Sequence, residues 1–386
     1  MADKEKPYKL YRGGRAKGPV RAPTGRDRDD QPDGGDGYRG TYAEPVRKRR
    51  RWGRRIAIVL LLLLVLAIAW GVLGFLAVRT GVKEANARLD DKAKAVLTAQ
   101  EGSIMSTPSN ILLIGTDAGP GPGRSRTGLS DSIMLVRTDP DAHRISLLSI
   151  PRDLRVPIAG RGEDKINAAY PAGGAALTAR TVQSVTGLPI NHVVIVDFRR
   201  FGEVIDALGG ITITVRKPIL SKFDCPYGTP ARCQRWKGWR FTRGTQEMDG
   251  HRALIYSRVR KNLLDPGASD FTRIANQQQV VQAIGSEATS FGTFLRLPLI
   301  GDDLTKPLTT DLSAGELIQL AWVKRRAAAD PIRCRLGGSL SSDGSYLLAE
   351  DTRLVVAMLT GEAAPQPPRP GSELFGPGCF VGQSAR

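Results

Sequence analysis

The sequence has little histidine: three residues, His143, His192 and His251, each far from the others. Ser149 and Ser257 therefore have no evident imidazole partner, which argues against a Ser-His-acid hydrolase. The isolated histidines are read as surface or packing residues rather than ligands. Cysteine is scarce as well. The spacings of Cys225, Cys233, Cys334 and Cys379 match no zinc pattern, which speaks against a zinc site. No internal repeat is present, so a repeat array is not expected. Acidic residues are outnumbered, with 38 Asp/Glu against 56 Lys/Arg and a formal charge of +18. A strongly basic chain invites a nucleic-acid reading, and the position of the charge decides whether that reading holds.

Half of the charge sits in residues 1–55, which carry 17 Lys/Arg against 8 Asp/Glu. This segment is rich in Gly and Pro and has almost no aliphatic pattern, so it is expected to be a disordered tail. It ends in Arg47-Lys48-Arg49-Arg50-Arg51-Trp52-Gly53-Arg54-Arg55. Residues 56–78 then contain no charged side chain, a length that spans a hydrocarbon core of about 20 residues. A cleaved signal peptide is the competing reading, but its apolar stretch would be shorter and nearer the N-terminus. With the basic run held inside, the tail is cytoplasmic and everything after Arg79 lies outside. A basic tail beside a membrane attracts anionic lipid, and nucleic acid is not an expected partner. Trp52 and Trp70 are candidates for the two interfaces.

Residues 79–106 read as an extracytoplasmic stalk, 107–360 as the compact domain with an extension, and 361–386 as a Pro/Gly-rich tail. Strands are expected at 110–114, 132–137, 145–150, 193–196 and 211–215, with helices at 175–185, 201–208, 274–288 and 314–326. Interleaved strands and helices indicate an α/β layered domain with a central mixed β-sheet flanked by helices. The four cysteines all fall on the expected oxidising side. Cys225 and Cys233 flank a turn-rich loop and make a natural local pair. Cys334 with Cys379 would tie the C-terminal tail back. Sequence alone leaves three pairings open.

The chemistry gathers at strand ends. An apolar run, Ile111–Ile114, leads to Gly115-Thr116-Asp117, and Ser130-Asp131-Ser132 opens the next run. Two carboxylates at neighbouring strand ends suit Mg²⁺, with Mn²⁺ as an alternative, although Asp at a strand end is also an ordinary turn residue. Ile150-Pro151-Arg152-Asp153 repeats the pattern with a cation, and Lys165 and Asn167 add another cation and an amide. Arg152 with Asp153 is either a structural ion pair or part of a phosphate site. In Tyr256-Ser257-Arg258-Val259-Arg260-Lys261 an alternating backbone would aim Arg258 and Arg260 to one side, two guanidinium forks fit for phosphate oxygens. Arg273 follows closely. Phe223, Trp236, Trp239 and Phe241 read as a local core beneath the cysteine loop, with a glycan platform as the alternative.

Together these segments resemble the LytR-CpsA-Psr family. The resemblance is carried, in order, by NILLIGTDA, SDSIMLV, LLSIPRDLRVPI, DKINAAYPAGG, TGLPINHVVIVDF, IDALGGITITV, YSRVRK and DFTRIANQQQ, over roughly residues 108–285. It implies a membrane-anchored phosphotransferase that moves a glycopolymer from a polyprenyl pyrophosphate carrier to peptidoglycan, at the C6 hydroxyl of N-acetylmuramic acid, releasing polyprenyl phosphate. By the same resemblance Asp117 and Asp131 stand at metal positions. Arg152, Arg258, Arg260, Arg273 and Gln277 stand at pyrophosphate positions, Lys165 beside them, and Asp131 is the candidate general base or a ligand only. One departure is visible: the loop after Asp117 reads Ala118-Gly119-Pro120-Gly121, with Arg124 and Arg126 displaced downstream. The insert around Cys225 and Cys233 lies outside the common core. The alternatives are a pyrophosphatase with water as acceptor and a non-catalytic cell-wall regulatory protein.

Overall fold

The computed structural model describes residues 52–116, 128, 130–265, 270–328, 331–370, 372 and 375–382. Asp117, Arg124 and Arg126 lie outside the described residues, as does the tail before Trp52. Ala57–Arg386 make one compact unit; of the other, Met1–Ile56, the structure describes Trp52–Ile56 as helix.

Helix α1, Trp52–Ala87, is long and apolar enough to cross a membrane. After it come α2 (Asp91–Lys94), β1 (Ser109–Thr116), β2 (Ser130–Asp139), β3 (Arg144–Ile150), β4 (Leu154–Ile158) and β5 (Gly162–Lys165). Next are α3 (Ala169–Thr186), β6 (His192–Asp197), α4 (Phe198–Leu208), β7 (Ile211–Val215), β8 (Ile219–Ser221), α5 (Pro230–Arg235), β9 (Trp239–Phe241) and β10 (Gly244–Met248). The chain continues through α6 (Gly250–Arg258), α7 (Asp270–Ala288), α8 (Phe291–Thr305), β11 (Leu308–Thr310) and α9 (Ala314–Arg326). It closes with β12 (Ile332–Arg335), β13 (Gly338–Leu340), β14 (Leu347–Ala349), α10 (Thr352–Thr360) and β15 (Gly378–Val381).

The main sheet runs β11-β6-β1-β2-β3-β12-β15. It is mixed: β1–β6 and β3–β12 are parallel, and the other neighbours are antiparallel. The expected architecture, a central mixed sheet flanked by helices, is the observed one. Its inner strands read as near-continuous apolar runs because both faces are covered. Leu112, Leu135 and Leu148 are fully buried side by side in successive strands. A second core gathers Ile205, Ile211, Ile213, Phe241, Ile255 and Tyr256 from α4, β7, β9 and α6.

Three expectations change. Residues 79–106 do not stand clear as a stalk: Val82, Ala85, Leu89 and Ala93 are buried, and Leu89 and Ala93 join the main core. Apolar side chains at helical spacing find the domain surface rather than water. The Pro/Gly-rich C-terminal segment supplies the edge strand β15, so Gly378–Val381 belong to the sheet. Arg258 and Arg260 are not on one face of a strand. Asp249 accepts the Arg252 backbone N–H as an N-cap and starts α6, whose last residue is Arg258, with Val259 as C-cap.

Both cysteine bonds are present, Cys225–Cys233 and Cys334–Cys379. The first closes an exposed loop. The second joins residues directly opposite each other in β12 and β15, each 1% exposed.

Candidate functional site

Strand register builds the site. In β1–β2, Gly115 faces Ser132 and Thr116 faces Ser130, so Asp131 is the extra residue of a bulge. Bulges re-aim a side chain and gather beside functional sites. In β2–β3, Ile133 faces Ile150. Carrying that antiparallel count two residues further sets Asp131 opposite Arg152, just past Pro151. The two meet: Arg152 Nη1 lies 2.8 Å from Asp131 Oδ1. Arg260 Nη2 approaches the same oxygen at 3.8 Å. One carboxylate oxygen thus gathers two arginines from segments far apart in the chain.

The cluster extends along a second line. Arg152 Nε is 3.3 Å from Asp153 Oδ2, and Lys165 Nζ is 2.9 Å from Asp153 Oδ1. Asp153 therefore spaces two cations that would otherwise repel. Asn167 adds a backbone brace: its N–H donates to the Arg152 carbonyl at 3.2 Å. Arg155 and Lys165 both lie over the Tyr346 ring, 5.4 and 5.6 Å from its centre. A cleft of about 340 Å³ opens here, lined by Arg152, Asp153, Lys165, Ile274, Tyr346 and Phe375 among others.

Helix α7 packs beside the cluster. Four of its buried residues are polar, with Arg273 4% exposed and Asn276, Gln277 and Gln278 buried with it, while Ile274 and Val280 join the apolar cores. Ser132 Oγ donates to Gln277 Oε1 at 3.2 Å, tying the helix to the residue after Asp131. Gln278 Nε2 donates to Ser149 Oγ and to the Cys334 carbonyl, both at 2.9 Å. Ser149 is thus a structural partner of Gln278.

Arg258 stands on the flank of this cluster. Its guanidinium lies over the Phe223 ring at 4.8 Å and 3.6 Å from Asp224 Oδ2. Phe223 and Asp224 immediately precede Cys225, so the disulfide loop holds an expected site arginine. Of the four aromatics read as a local core, Phe241 is fully buried and Trp239 packs against the same cluster, whereas Phe223 carries Arg258. His192 is buried with Nδ1 2.7 Å from Asp311 Oδ2, and His251 meets the Trp239 ring edge-on.

A buried neighbour of the site has a defined pH signature. The Tyr256 hydroxyl donates to Gln279 Oε1 at 2.7 Å, and the residue is 3% exposed. Burial pushes its phenol up to about 12, above the value near 10 of an unfolded chain. A folded value above the unfolded one means stability is whole below the unfolded value and falls as pH climbs to the folded value. Thermal unfolding followed above pH 9 or so should therefore show Tyr256→Phe losing less stability than the unmodified protein, by about 2–3 kcal/mol. Parallel curves would contradict this assignment.

The sequence pairing of Arg152 with Asp153 is present as an ion pair. Sequence reasoning missed the second partner of Asp153, Lys165, as well as Phe223 and Asp224 as the support of Arg258, and Tyr346. Tyr346 comes from a distant segment, brought in because β14 lies parallel beside β4 and the Leu347 N–H donates to the Asp153 carbonyl at 3.0 Å.

A cluster of arginine and lysine around strand-end carboxylates offers fixed donors suited to anionic groups, on an α/β domain joined to a helix long and apolar enough to cross a membrane. The chain belongs to the LytR_cpsA_psr family, whose model matches residues 73–345. It is 30% identical over 277 residues to the polyisoprenyl-teichoic acid–peptidoglycan teichoic acid transferase TagU of Halalkalibacterium halodurans, covering 71% of this chain and 84% of that protein. The protein of the same name from Oceanobacillus iheyensis is 32% identical, with 72% and 82% covered. The structure of Bacillus subtilis TagV superposes with a TM-score of 0.54 at 28% identity, over 66% of this chain and 97% of that one. TagT bound to LI-WTA gives 0.53 at 25%, over 69% and 94%.

Proposed function

We propose that this protein transfers a glycopolymer from a polyprenyl pyrophosphate carrier to peptidoglycan, at the C6 hydroxyl of N-acetylmuramic acid. The observation that carries the proposal is the convergence of Arg152 and Arg260 on the bulge carboxylate Asp131, in a chain whose relatives are named polyisoprenyl-teichoic acid–peptidoglycan teichoic acid transferases. The basic run before α1 and the two disulfides support a cytoplasmic N-terminus and an extracytoplasmic domain.

In this reading Arg152, Arg260, Arg258, Arg273, Gln277 and Lys165 take the pyrophosphate oxygens. Phosphoryl transfer is promoted chiefly by positioning and by compensating charge, which is what fixed guanidinium groups supply. The acceptor oxygen attacks the phosphorus nearest the sugar. The bond from that phosphorus to the bridging oxygen breaks, and polyprenyl phosphate departs with the electron pair. The acceptor proton passes to a base, for which Asp131 remains the candidate.

The donor set fits Mg²⁺, with Mn²⁺ as an alternative. Both ionic contacts of Asp131 fall on Oδ1, so its second oxygen is the one a hard cation would take, with Asp117 as the partner ligand. No group of three metal-ligating side chains occurs among the described residues, and Mg²⁺ needs none, since it keeps waters and substrate phosphates. Such a cation would polarise the phosphoryl oxygens as a Lewis acid.

The test is incubation of the full chain in detergent with a polyprenyl-pyrophosphate oligosaccharide and peptidoglycan. Glycan bound to peptidoglycan should appear together with polyprenyl phosphate, one for one. Chelation should stop both, and Mg²⁺ should restore them. Lipid phosphate released without glycan on the wall would favour the pyrophosphatase reading instead.

A further inference from the structure

Helix α8 presents its apolar residues to the outside. Phe291, Phe294, Leu295 and Leu299 are 71%, 52%, 47% and 72% exposed. Their spacing places them on one face of the helix. The packed side of the same helix carries Thr293, Leu297, Gly301 and Thr305. A surface helix of a water-soluble domain has the opposite arrangement.

What lies beside this face is fixed by α1. The two helices run parallel in close contact. A Cβ on Gly74 would sit 3.2 Å from Leu297, and one on Gly301 would sit 2.9 Å from the Val78 backbone nitrogen. Thr305 Oγ1 donates to the Val78 carbonyl at 3.4 Å, and Lys306 Nζ lies 3.9 Å from Glu84. Glycine at 74 and 301 is what lets the two backbones approach.

This register divides the apolar run of α1. Residues before Gly74 are exposed along the helix, while Gly74, Val78, Gly81, Val82 and Ala85 are buried against the domain. Tryptophan favours the membrane interface, so Trp70 marks the level where α1 leaves the acyl chains. Gly74 is one turn above Trp70, and Leu297 is level with Gly74. One turn before Leu297 is Thr293, so Phe291, Phe294 and Leu295 straddle the level of Trp70. Leu299 stands higher, among the headgroups. The acidic pair Asp302 and Asp303 comes last, on the side away from the membrane.

We propose that the N-terminal half of α8 is a second membrane contact, an interfacial helix seated in the leaflet on the domain's side of the bilayer that α1 crosses. Its occupant is lipid: the apolar face continues the lipid-facing surface of α1 at the same height. Phe291 and Phe294 enter the headgroup–acyl boundary, as aromatic side chains of in-plane helices do. With two attachments side by side, the domain is fixed in tilt as well as tethered.

The proposal rests on α1 crossing the bilayer, and a probe on α1 keeps the two ideas separable. All four native cysteines are in disulfides, so a single added cysteine can carry an environment-sensitive fluorophore. The full chain would be reconstituted in vesicles of phosphatidylethanolamine and phosphatidylglycerol, with labels at Leu63→Cys, Leu295→Cys and Ser342→Cys in separate samples. Ser342 lies in an exposed polar turn. The label at 63 should be quenched by spin-labelled lipid. The label at 295 should also be quenched by lipid carrying its spin label high on the acyl chain. It should lose most of the iodide quenching shown at 342. Adding Phe294→Asp should return iodide access at 295 and leave 63 unchanged. Lipid quenching at 63 with full iodide access at 295 would overturn the proposal and leave the anchor intact. Shielding of 295 from both quenchers would also overturn it, since the face would then be covered by a second copy. No lipid quenching at 63 would defeat the anchor and the proposal together.

Discussion

Arg152→Ala and Arg260→Ala are each expected to cut glycan transfer by about 100- to 1000-fold, the loss of about 2.7–4 kcal/mol found when one preorganised donor to a developing oxyanion is removed. Both variants should fold. The Arg152 side chain is about one-fifth exposed and that of Arg260 more than a third, so neither removal opens a core cavity. Arg152→Lys should recover only part of the rate, because the ammonium keeps the charge but cannot hold Asp131 and Asp153 with one planar fork. Asp131→Asn should behave differently. It releases both arginines and removes a hard oxygen, so its loss of rate should be accompanied by a higher Mg²⁺ requirement. The measurement is transfer from a lipid-pyrophosphate donor across a Mg²⁺ series, with thermal unfolding of each variant alongside. If Arg152→Ala and Arg260→Ala fold and transfer at the unmodified rate, the cluster is a structural ion network and the proposed site must move.

The second large effect belongs to Cys334–Cys379, and it falls on stability. The bond closes a loop of 45 residues. The chain-entropy relation gives about 4 kcal/mol for that length and about 2.5 kcal/mol for the eight-residue loop of Cys225–Cys233. Position widens the gap. Cys334 and Cys379 are buried in the main sheet, whereas the Cys225 loop is exposed. Replacing Cys334 and Cys379 together by alanine should lower the unfolding temperature by roughly 10 °C, and the double replacement of Cys225 and Cys233 by no more than half as much. Scanning calorimetry of the two double variants makes the comparison. Equal shifts, or no shift for the buried pair, would contradict it.

Much of the fold was legible because the central strands carry their own signal. Ile111–Ile114, Ile133–Val136 and Leu147–Ile150 are short apolar runs bounded by turn residues, and all three are strands. Their order was not legible. Nothing local in β3 says that its neighbour is β12, because a parallel partner is chosen by the packing of distant segments. Helix α8 was missed for a related reason: its apolar residues face outward and Pro298 interrupts the run, so the core-facing pattern is absent. In the site, Asp131 and Arg152 were visible as charges at the ends of apolar strands. The Arg258–Arg260 alternation misled because period two is a weak signal over three residues. Asp249 three positions before Arg252 was the better sign, since it caps the helix that contains Arg258. Phe223, Asp224 and Tyr346 carry no signature of their own, being recruited by tertiary contact.

The seating of β12 and β15 at one end of the main sheet has a consequence for how the molecule is made. Strand β3 leads directly into Pro151-Arg152-Asp153, and its outer edge is covered only when β12 arrives, after most of the chain has been synthesised. The last strand, β15, then covers β12 in turn. A nascent chain halted before residue 332 would display β3, five of whose seven residues are buried in the finished domain, as an open edge. Such edges pair with other chains. Premature stops near the C-terminus should therefore yield aggregates and proteolysis rather than a shortened active enzyme.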